Sequence, residues 1–245
     1  MSDKLYLVIP AYNEQDNIQQ VVSDWYPIVE HFGEESRLVI VDDGSKDATY
    51  EILKKSELNR DKLIVLTKKN GGHGSTVLYA YNYALENGAD YIFQTDSDGQ
   101  TKADEFEQFW NNRETYDLVI GYRNHRKDGL SRVFVTKILK CVLYLIFGVW
   151  TTDANTPFRL MKRDKLKKVL EVIPEGYNLP NVIIPVAYTI WGEKVKYIPI
   201  TFRARQGGVN SINLKKIMKI GIQAIKDFIL IKKKIYAASS MSKHE

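Results

Sequence analysis

The feature that most constrains the fold is a regular alternation of short apolar runs with longer segments of helical spacing. The apolar runs are rich in β-branched residues, are bounded by polar residues or glycine, and read KLYLVIP, RLVIVDD, KLIVLT, DYIFQTD and DLVIG. Helical spacing fills the intervals at residues 14–31, 47–56, 73–87 and 103–113. Runs that are hydrophobic along their whole length indicate strands covered on both faces. The sequence therefore predicts an α/β fold with a Rossmann-like, doubly wound, mostly parallel sheet and helices on both faces.

Length and charge limit the classes of function. A chain of 245 residues, 44% hydrophobic and 27% charged, can bury one substantial core. The formal net charge of +5 suits an anionic partner such as a phosphorylated ligand, nucleic acid or acidic lipid. The single cysteine, Cys141, lies among apolar residues, and we expect a buried thiol in a reducing cytoplasm. We also expect no signal peptide and no spanning segment, since the longest uncharged run, residues 141–152, is too short.

Four segments that contain polar residues follow four of the predicted strands. They are Pro10, Ala11, Tyr12 and Glu14 after the first, Asp42 and Asp43 after the second, Asn70, Gly71 and His73 after the third, and Asp96, Ser97, Asp98 and Gln100 after the fourth. In open parallel sheets, ligands bind beyond the carboxyl ends of the strands. Each group alone could serve only a turn. Four groups at one edge indicate a binding site.

The most informative group is Asp96-Ser97-Asp98-Gly99-Gln100. Carboxylates two residues apart can project toward one point, and the amide oxygen of Gln100 can complete a site of hard oxygen ligands. Such a site favours Mg²⁺ or Mn²⁺. A divalent cation stabilises the charge that develops on a departing nucleotide diphosphate. The alternative is an Asx-turn that ends the strand.

Six segments carry a family resemblance: PAYNE, VDDGSKDAT, NGGHGS, TDSDGQ, GYR and TPFRLM. They resemble glycosyltransferase family 2, and within it the dolichyl-phosphate mannose synthase and polyprenyl-phosphate glycosyltransferase branch. The resemblance implies a GT-A fold and an inverting, metal-dependent transfer from a UDP- or GDP-linked sugar to a lipid-phosphate or glycan acceptor. It also implies a catalytic domain over residues 1–212, with a nucleotide-sugar half at 1–120 and an acceptor half at 121–212.

The resemblance also assigns donor-site roles. Pro10, Ala11, Tyr12 and Glu14 would line the nucleoside pocket, and Asp42 would bond the base or ribose. Asp96, Asp98 and Gln100 would hold the metal and diphosphate, which makes Asp98 a catalytic candidate as well, and Ser97 would contact the nucleotide sugar. Asp43 is either a turn carboxylate or a ligand, and Asn70, Gly71 and His73 form either a phosphate-facing helix start or a structural loop. Arg205 belongs to a glycine-containing loop that would close over the donor.

Acceptor and catalytic candidates lie further along the chain. Arg123, Arg132 and Thr136 are candidates for acceptor binding, and Arg159 is a cation beside the expected cleft, because arginine can hold phosphate with two hydrogen bonds. Asp153 is the candidate general base for a hydroxyl acceptor, whereas an ionised phosphate acceptor would need no strong base. Asp153 could instead position Arg159 or cap a turn.

The C-terminal region 213–245 is predicted to form a basic amphipathic helix and tail. From Arg203 to Lys234 there are nine cations and one anion, Asp227. Apolar residues recur every three or four positions at Ile217, Ile220, Ala224, Phe228, Ile231 and Ile235. One interpretation is an interfacial helix on an anionic membrane, which would make the protein peripheral on the cytoplasmic face. The other is a helix packed on its own domain or on a second subunit in a homo-oligomer.

Two other functions are disfavoured. A nucleic-acid-binding protein fits the basic charge, but this charge is confined to one amphipathic helix and no recognised binding motif occurs, so we expect no nucleic-acid partner. A nucleotidyltransferase acting on sugar phosphates would also use an α/β sheet. Such an enzyme would carry a glycine-rich loop with a basic residue directly after the first strand, and PAYNE has neither.

Overall fold

The computed structural model describes residues 3–123, 130–153, 155–203 and 214–241, without the side chains of 130–135, 214–220, 222 and 241. The strands are β1 (Leu5–Ala11), β2 (Arg37–Asp42), β3 (Leu63–Thr67), β4 (Tyr91–Gln94), β5 (Leu118–Arg123), β6 (Arg159–Lys162) and β7 (Val195–Ile200). The helices are α1 (Ile18–His31), α2 (Thr49–Glu57), α3 (His73–Glu86), α4 (Phe106–Trp110), α5 (Leu130–Phe147), α6 (Arg163–Val172), α7 (Pro180–Ile190) and α8 (Leu214–Met241).

The strands form one seven-stranded sheet in the order β3-β2-β1-β4-β6-β5-β7. Strand β6 is antiparallel to both of its neighbours, β4 and β5, and every other pairing in the described sheet is parallel. Strands β2 and β3 are added in turn on one side of β1, and β4 then pairs with the other side of β1. Ligands bind at such a reversal of strand order, beyond the carboxyl ends of the strands. The predicted α/β fold with a mostly parallel sheet is confirmed.

Both faces of the sheet are covered, which explains why the strands are apolar throughout. Leu5, Leu7 and Ile9 of β1 pack with helices α1, α2 and α4, whereas Tyr6 and Val8 pack with α3 and α5–α8. This division follows the two-residue period of a strand.

Aromatic rings fill the core on the α1 side of the sheet. Phe93 of β4 makes edge-to-face contacts with Phe106 at 4.9 Å and with Phe158 at 4.8 Å between ring centroids. Trp25 of α1 adds to this group, with its ring centroid 5.6 Å from that of Phe93. Such pairs stabilise a core beyond the area that they bury.

The second half of the chain contains elements that the pattern did not predict. The sequence predicts an apolar helix over residues 132–149 and a strand over residues 195–205, and helix α5 and strand β7 lie there. Strand β6 and helices α6 and α7 were not predicted, and β6 forms the link between β4 and β5. The expectation of a buried thiol is wrong, because Cys141 is exposed on α5.

Helix α8 packs on the rest of the domain through its apolar face. Ala224, Phe228, Ile231 and Ile235 are buried in the same core as α3, α6 and α7. Trp191 Nε1 donates a hydrogen bond to the Ile235 carbonyl at 2.9 Å. These contacts agree with the interpretation in which α8 packs on its own domain, and they show that the protein core covers Phe228 and Ile231.

No helix within the described residues combines the length and the apolarity needed to cross a bilayer.

Candidate functional site

A cleft of about 340 Å³ opens where β1 and β4 end, at the reversal of strand order. Its lining combines residues from four loops and from the start of α3: Pro10, Ala11, Tyr12, Glu14, Asp43, Asn70, Gly72, His73, Thr76, Asp96, Ser97 and Asp98. The structure thus brings together most of the donor-site candidates. Thr76 was not predicted, although it lies one helical turn after His73.

The loop after β1 is hydrogen-bonded to the loop after β2. Asn13 adopts a left-handed backbone conformation, with φ of 54°. Its N–H donates to Ser45 Oγ at 2.9 Å, and its side-chain oxygen accepts from the Lys46 N–H at 2.8 Å. Asparagine tolerates this conformation better than most residues. The turn presents Tyr12, which is exposed, at the mouth of the cleft.

Asp43 anchors the loop before α3. Its carboxylate accepts hydrogen bonds from the N–H groups of Gly71 and Gly72 at 2.9 and 2.8 Å, and from Lys68 Nζ. Burial alone would raise the pKa of Asp43, but the hydrogen bonds from Lys68 and the two glycines outweigh burial and hold this pKa below its usual value. Asp43 is therefore a loop carboxylate that also lines the cleft.

Asp42 does not line the cleft. Its buried carboxylate accepts hydrogen bonds from Thr67 Oγ1 at 3.0 Å and from the Ser45 N–H at 3.2 Å. These contacts fix the turn after β2 against β3. A bond from this side chain to the base or ribose would require that arrangement to change.

The start of α3 is held closely against the loop between α6 and α7. Gly72, with φ of 87°, turns the chain into the helix. A Cβ atom added at Gly74 would lie 2.3 Å from the backbone of Asn178, so only glycine fits there. This close approach fixes His73, which is half exposed in the cleft, with Nε2 3.7 Å from Asp96 Oδ1.

Asp96 is in an environment that disfavours its charge. The pKa of Asp96 is raised to about 6, chiefly by burial; His73 acts to lower this pKa, and the Asp98 carboxylate acts to raise it. The guanidinium groups of Arg159 and Arg123 also lower it. Within the described residues, the buried Oδ1 of Asp96 has no hydrogen-bond partner.

These features fit a divalent cation. Asp98 follows Asp96 by two residues and lines the same cleft. Two carboxylates, one with a buried oxygen that lacks a hydrogen bond, form the kind of donor set that Mg²⁺ or Mn²⁺ prefers. Gln100 Nε2 donates a hydrogen bond to the Arg203 carbonyl at 2.8 Å, and Gln100 is not among the residues that line the cleft. This bond uses the amide nitrogen, so the role of the amide oxygen as a metal ligand stays a prediction.

A second pocket of about 210 Å³ lies between β5 and α5. It is lined by Tyr122, Arg123, Thr136, Lys137, Lys140, Thr152 and Asp153. Arg123 donates two hydrogen bonds to Asp153, at 3.0 and 3.1 Å. With three cations and one carboxylate in its lining, this pocket suits an anion.

Sequence reasoning missed two of these cations. Lys137 and Lys140 come within one helical turn of the predicted Thr136, and that spacing was the available signal. The predicted Arg123 and Thr136 do line the pocket. The side chain of Arg132, and Arg205 with its loop, lie outside the described residues.

Arg159 does not reach either pocket, since its side chain is completely buried. Its guanidinium donates a hydrogen bond to the Thr156 carbonyl at 2.5 Å and another to the Asn181 carbonyl at 3.0 Å. The residue therefore links the segment before β6 to the start of α7, and direct contact with a substrate does not fit this position.

Comparison with known proteins agrees with this geometry. The family model described as "Glycosyl transferase family 2" matches residues 6–173. The chain belongs to glycosyl transferase family 2. Among curated relatives, the undecaprenyl-phosphate 4-deoxy-4-formamido-L-arabinose transferase of Salmonella paratyphi B is 23% identical over 220 residues. This match covers 89% of the chain and 65% of the relative, so the chain spans about two-thirds of that protein's length.

Solved structures of a glucosyl-3-phosphoglycerate synthase share the fold. Glucosyl-3-phosphoglycerate synthase from Mycobacterium tuberculosis, in complex with Mn²⁺, UDP and phosphoglyceric acid, matches with a TM-score of 0.72 at 16% identity. The match covers 94% of the chain and 78% of the synthase. A complex of that enzyme with Mn²⁺, UDP-glucose and phosphoglyceric acid gives a TM-score of 0.71. The predicted GT-A fold is confirmed.

Proposed function

We propose that this family 2 protein transfers a sugar, with inversion, from a nucleotide diphosphate sugar to a lipid phosphate at a membrane surface. The observation that carries the proposal is the pairing of two sites. A carboxylate-bearing cleft at the ends of β1 and β4 suits a metal-bound nucleotide, and a cation-lined pocket between β5 and α5 suits an anion. Arg123 of the second pocket is close enough to Asp96 of the first to lower its pKa.

The cleft would hold the donor. Pro10, Tyr12 and Glu14 line its β1 side, where a nucleoside would lie. His73 begins α3 and lies 3.7 Å from Asp96, and a helix N-terminus favours phosphate. The Mycobacterium synthase binds UDP in its complex, so a UDP-linked sugar is the donor that we propose.

Asp96 and Asp98 would hold a divalent cation, which would neutralise charge on the departing diphosphate. No cluster of three or more His, Cys, Asp or Glu side chains suited to a metal occurs in the described part of the chain. Mg²⁺ and Mn²⁺ commonly complete their coordination with substrate phosphates and water. Mn²⁺ is present in the complexes of the Mycobacterium synthase, which supports a cation of this kind here.

The second pocket would bind the acceptor phosphate through Arg123, Lys137 and Lys140. A phosphate is already ionised near neutral pH, so its oxygen can attack the anomeric carbon without a general base. As the bond between the acceptor oxygen and the anomeric carbon forms, the bond from the anomeric carbon to the donor phosphate oxygen breaks and the nucleotide diphosphate leaves. Attack on the face opposite the leaving group inverts the configuration. Asp153 would then position Arg123.

The curated relative named above is an undecaprenyl-phosphate transferase, which supports a polyprenyl phosphate as the acceptor class. Such a lipid would place the protein at a membrane surface.

The test is transfer of a labelled sugar to a short-chain polyprenyl phosphate and to the matching alcohol, from UDP- and GDP-linked donors with Mn²⁺ present. We expect transfer from a UDP-sugar to the phosphate alone, lost in EDTA and restored by Mn²⁺. Asp98→Ala should lose this activity without loss of folded protein. Equal transfer to the alcohol, or full activity in EDTA, would contradict the proposal.

A further inference from the structure

The described surface concentrates its exposed apolar side chains in one region. Among the side chains that the structure describes, eleven large apolar ones are exposed. Three of them, Tyr12, Leu58 and Tyr79, lie elsewhere, and the other eight belong to α5, the segment directly after it, and α8. These eight are Ile138, Tyr144, Leu145, Trp150, Ile225, Ile229, Leu230 and Tyr236. We call them the α5/α8 apolar surface.

The two parts of this surface are held together. Tyr236 of α8 donates a hydrogen bond from its hydroxyl to the Phe147 carbonyl at the end of α5, at 2.9 Å. Beneath them, the rings of Phe147 and Phe228 pack edge to face with centroids 5.9 Å apart. Tyr144 and Trp150 also pack edge to face, at 6.0 Å. The exposed residues are therefore presented on a packed pair of helices.

The charge around the surface is predominantly positive. Helix α5 carries three cations and no acidic residue, and α8 carries seven lysines and one aspartate. A second copy of the chain docking symmetrically on this surface would bring like charges together, which is unfavourable. An anionic bilayer complements both the lysines and the apolar side chains.

Helix α5 also connects this surface to the second pocket. Lys137, Cys141, Tyr144 and Leu145 are all exposed and recur at helical spacing, so they share one face of α5. Lys137 lines the pocket, and Leu145 follows it by eight residues, which is about 12 Å along the helix axis. An interfacial helix lies in the membrane plane, with its apolar face buried about 5–10 Å into the boundary between headgroups and acyl chains. Because Lys137 is on the same face of α5 as Leu145, docking of this face brings Lys137 to the lipid headgroups.

We propose that the α5/α8 apolar surface docks the protein on an anionic bilayer, with Leu145 and Trp150 inserted and the second pocket facing the headgroups. This rests on the lipid-phosphate acceptor proposed above. Docking in this orientation presents the pocket to a phosphate whose lipid chain stays in the membrane. The apolar residues that insert are different from Phe228 and Ile231, which the protein core covers.

The test is flotation with vesicles of phosphatidylcholine and phosphatidylglycerol in equal parts, without donor or acceptor. Leu145→Glu and Trp150→Glu should each weaken vesicle binding about tenfold or more, because a charge replaces an inserted apolar group. Leu58→Glu is the matched control, since Leu58 is 83% exposed and Leu145 is 80% exposed, and Leu58 lies beyond α2, outside the surface. Binding by Leu58→Glu should equal that of the wild type.

Wild-type binding by both surface variants would overturn the inference. So would sedimentation velocity showing that Leu145→Glu separates a dimer while vesicle binding is unchanged, because the surface would then join two copies. Thermal melts check that the variants are folded. The proposed function is tested separately with a water-soluble, short-chain acceptor: loss of vesicle binding with no transfer to any polyprenyl phosphate would leave the docking surface standing and reject the function.

Discussion

Both carboxylate oxygens of Asp153 accept hydrogen bonds from a single guanidinium, that of Arg123, at 3.0 and 3.1 Å. This two-point pair fixes the plane of the Arg123 side chain, which also lies over the ring of Phe202, 5.1 Å from its centroid. A carboxylate engaged in this way orients a cation at the wall of an anion pocket. The arrangement favours a positioning role for Asp153 over the role of a general base.

Asp153→Asn should therefore raise the KM for a phosphate acceptor by about three- to tenfold and change kcat less, because a loosened Arg123 weakens binding in ground and transition states alike. The dependence of kcat on pH should stay that of the wild type. Steady-state kinetics across pH check this. A large fall in kcat with an unchanged KM, together with loss of the fall in kcat at low pH that protonation of a base causes, would restore Asp153 as the base.

Ionised Asp96 lowers the free energy of unfolding of the metal-free protein. Its pKa is about 6 in the folded chain against an ordinary value of 3.8. Because the folded state holds this proton more tightly than the unfolded state, the contribution of Asp96 to stability falls as the pH rises between these two values and stays low above them. Asp96→Asn should therefore raise the free energy of unfolding by about 1–2 kcal/mol at about pH 8, and by much less at about pH 4.

Urea denaturation in EDTA at the two pH values measures this difference. The same variant should bind Mn²⁺ and nucleotide weakly, which separates its effect on stability from its effect on the site. Destabilisation of metal-free Asp96→Asn at the higher pH would contradict the account of this carboxylate.

The contact between Gly74 and Asn178 predicts a sharp steric effect. Gly74→Ala places a methyl group 2.3 Å from backbone atoms if nothing moves, and overpacking of this kind costs about 1–3 kcal/mol or more. Gly221→Ala is the control, because no atom lies within 4 Å of its added Cβ, and alanine in a helix is favoured over glycine by about 0.5–1 kcal/mol. Urea midpoints of the two variants should shift in opposite directions; equal midpoints would argue against the close approach.

Helix α8 offers a matched pair of neighbours. Phe228 is buried in the core, and Ile229 beside it is exposed. Phe228→Ala should lower the free energy of unfolding by about 3–5 kcal/mol, whereas Ile229→Ala should change it by about 0.5 kcal/mol or less. Chemical denaturation without lipid distinguishes them. Similar small effects from both variants would mean that α8 does not pack on the domain as described.

The donor side of the site could be predicted from sequence because it follows local rules. Asp96 and Asp98 come directly after a strand, and the carboxyl ends of parallel strands meet at one edge, so periodicity alone places them together. The same rule placed Asp42 in the site, but its buried carboxylate bonds to Ser45 and Thr67, and Asp42 is not among the residues that line the cleft. Which of two adjacent carboxylates faces a ligand depends on such contacts.

The acceptor half depends on contacts between distant segments. Arg159 resembles a substrate-binding cation in sequence, yet β6 pairs with β4 and β5 in the centre of the sheet and buries it. Lys137 and Lys140 reach the second pocket only because α5 packs beside β5 and Asp153. The spacing in α8 predicted an amphipathic helix but could not show what covers its apolar face, because a core and a bilayer favour the same pattern.

The most direct test of the proposed transfer is the ³¹P and ¹H NMR spectrum of the purified product made with Mn²⁺, a UDP-sugar and a short-chain polyprenyl phosphate. The account predicts that the acceptor's phosphate monoester signal becomes a single phosphodiester signal, with the sugar attached through an anomeric carbon of inverted configuration. An unchanged monoester with the sugar elsewhere, a diphosphate linkage, or retention at the anomeric carbon would contradict it.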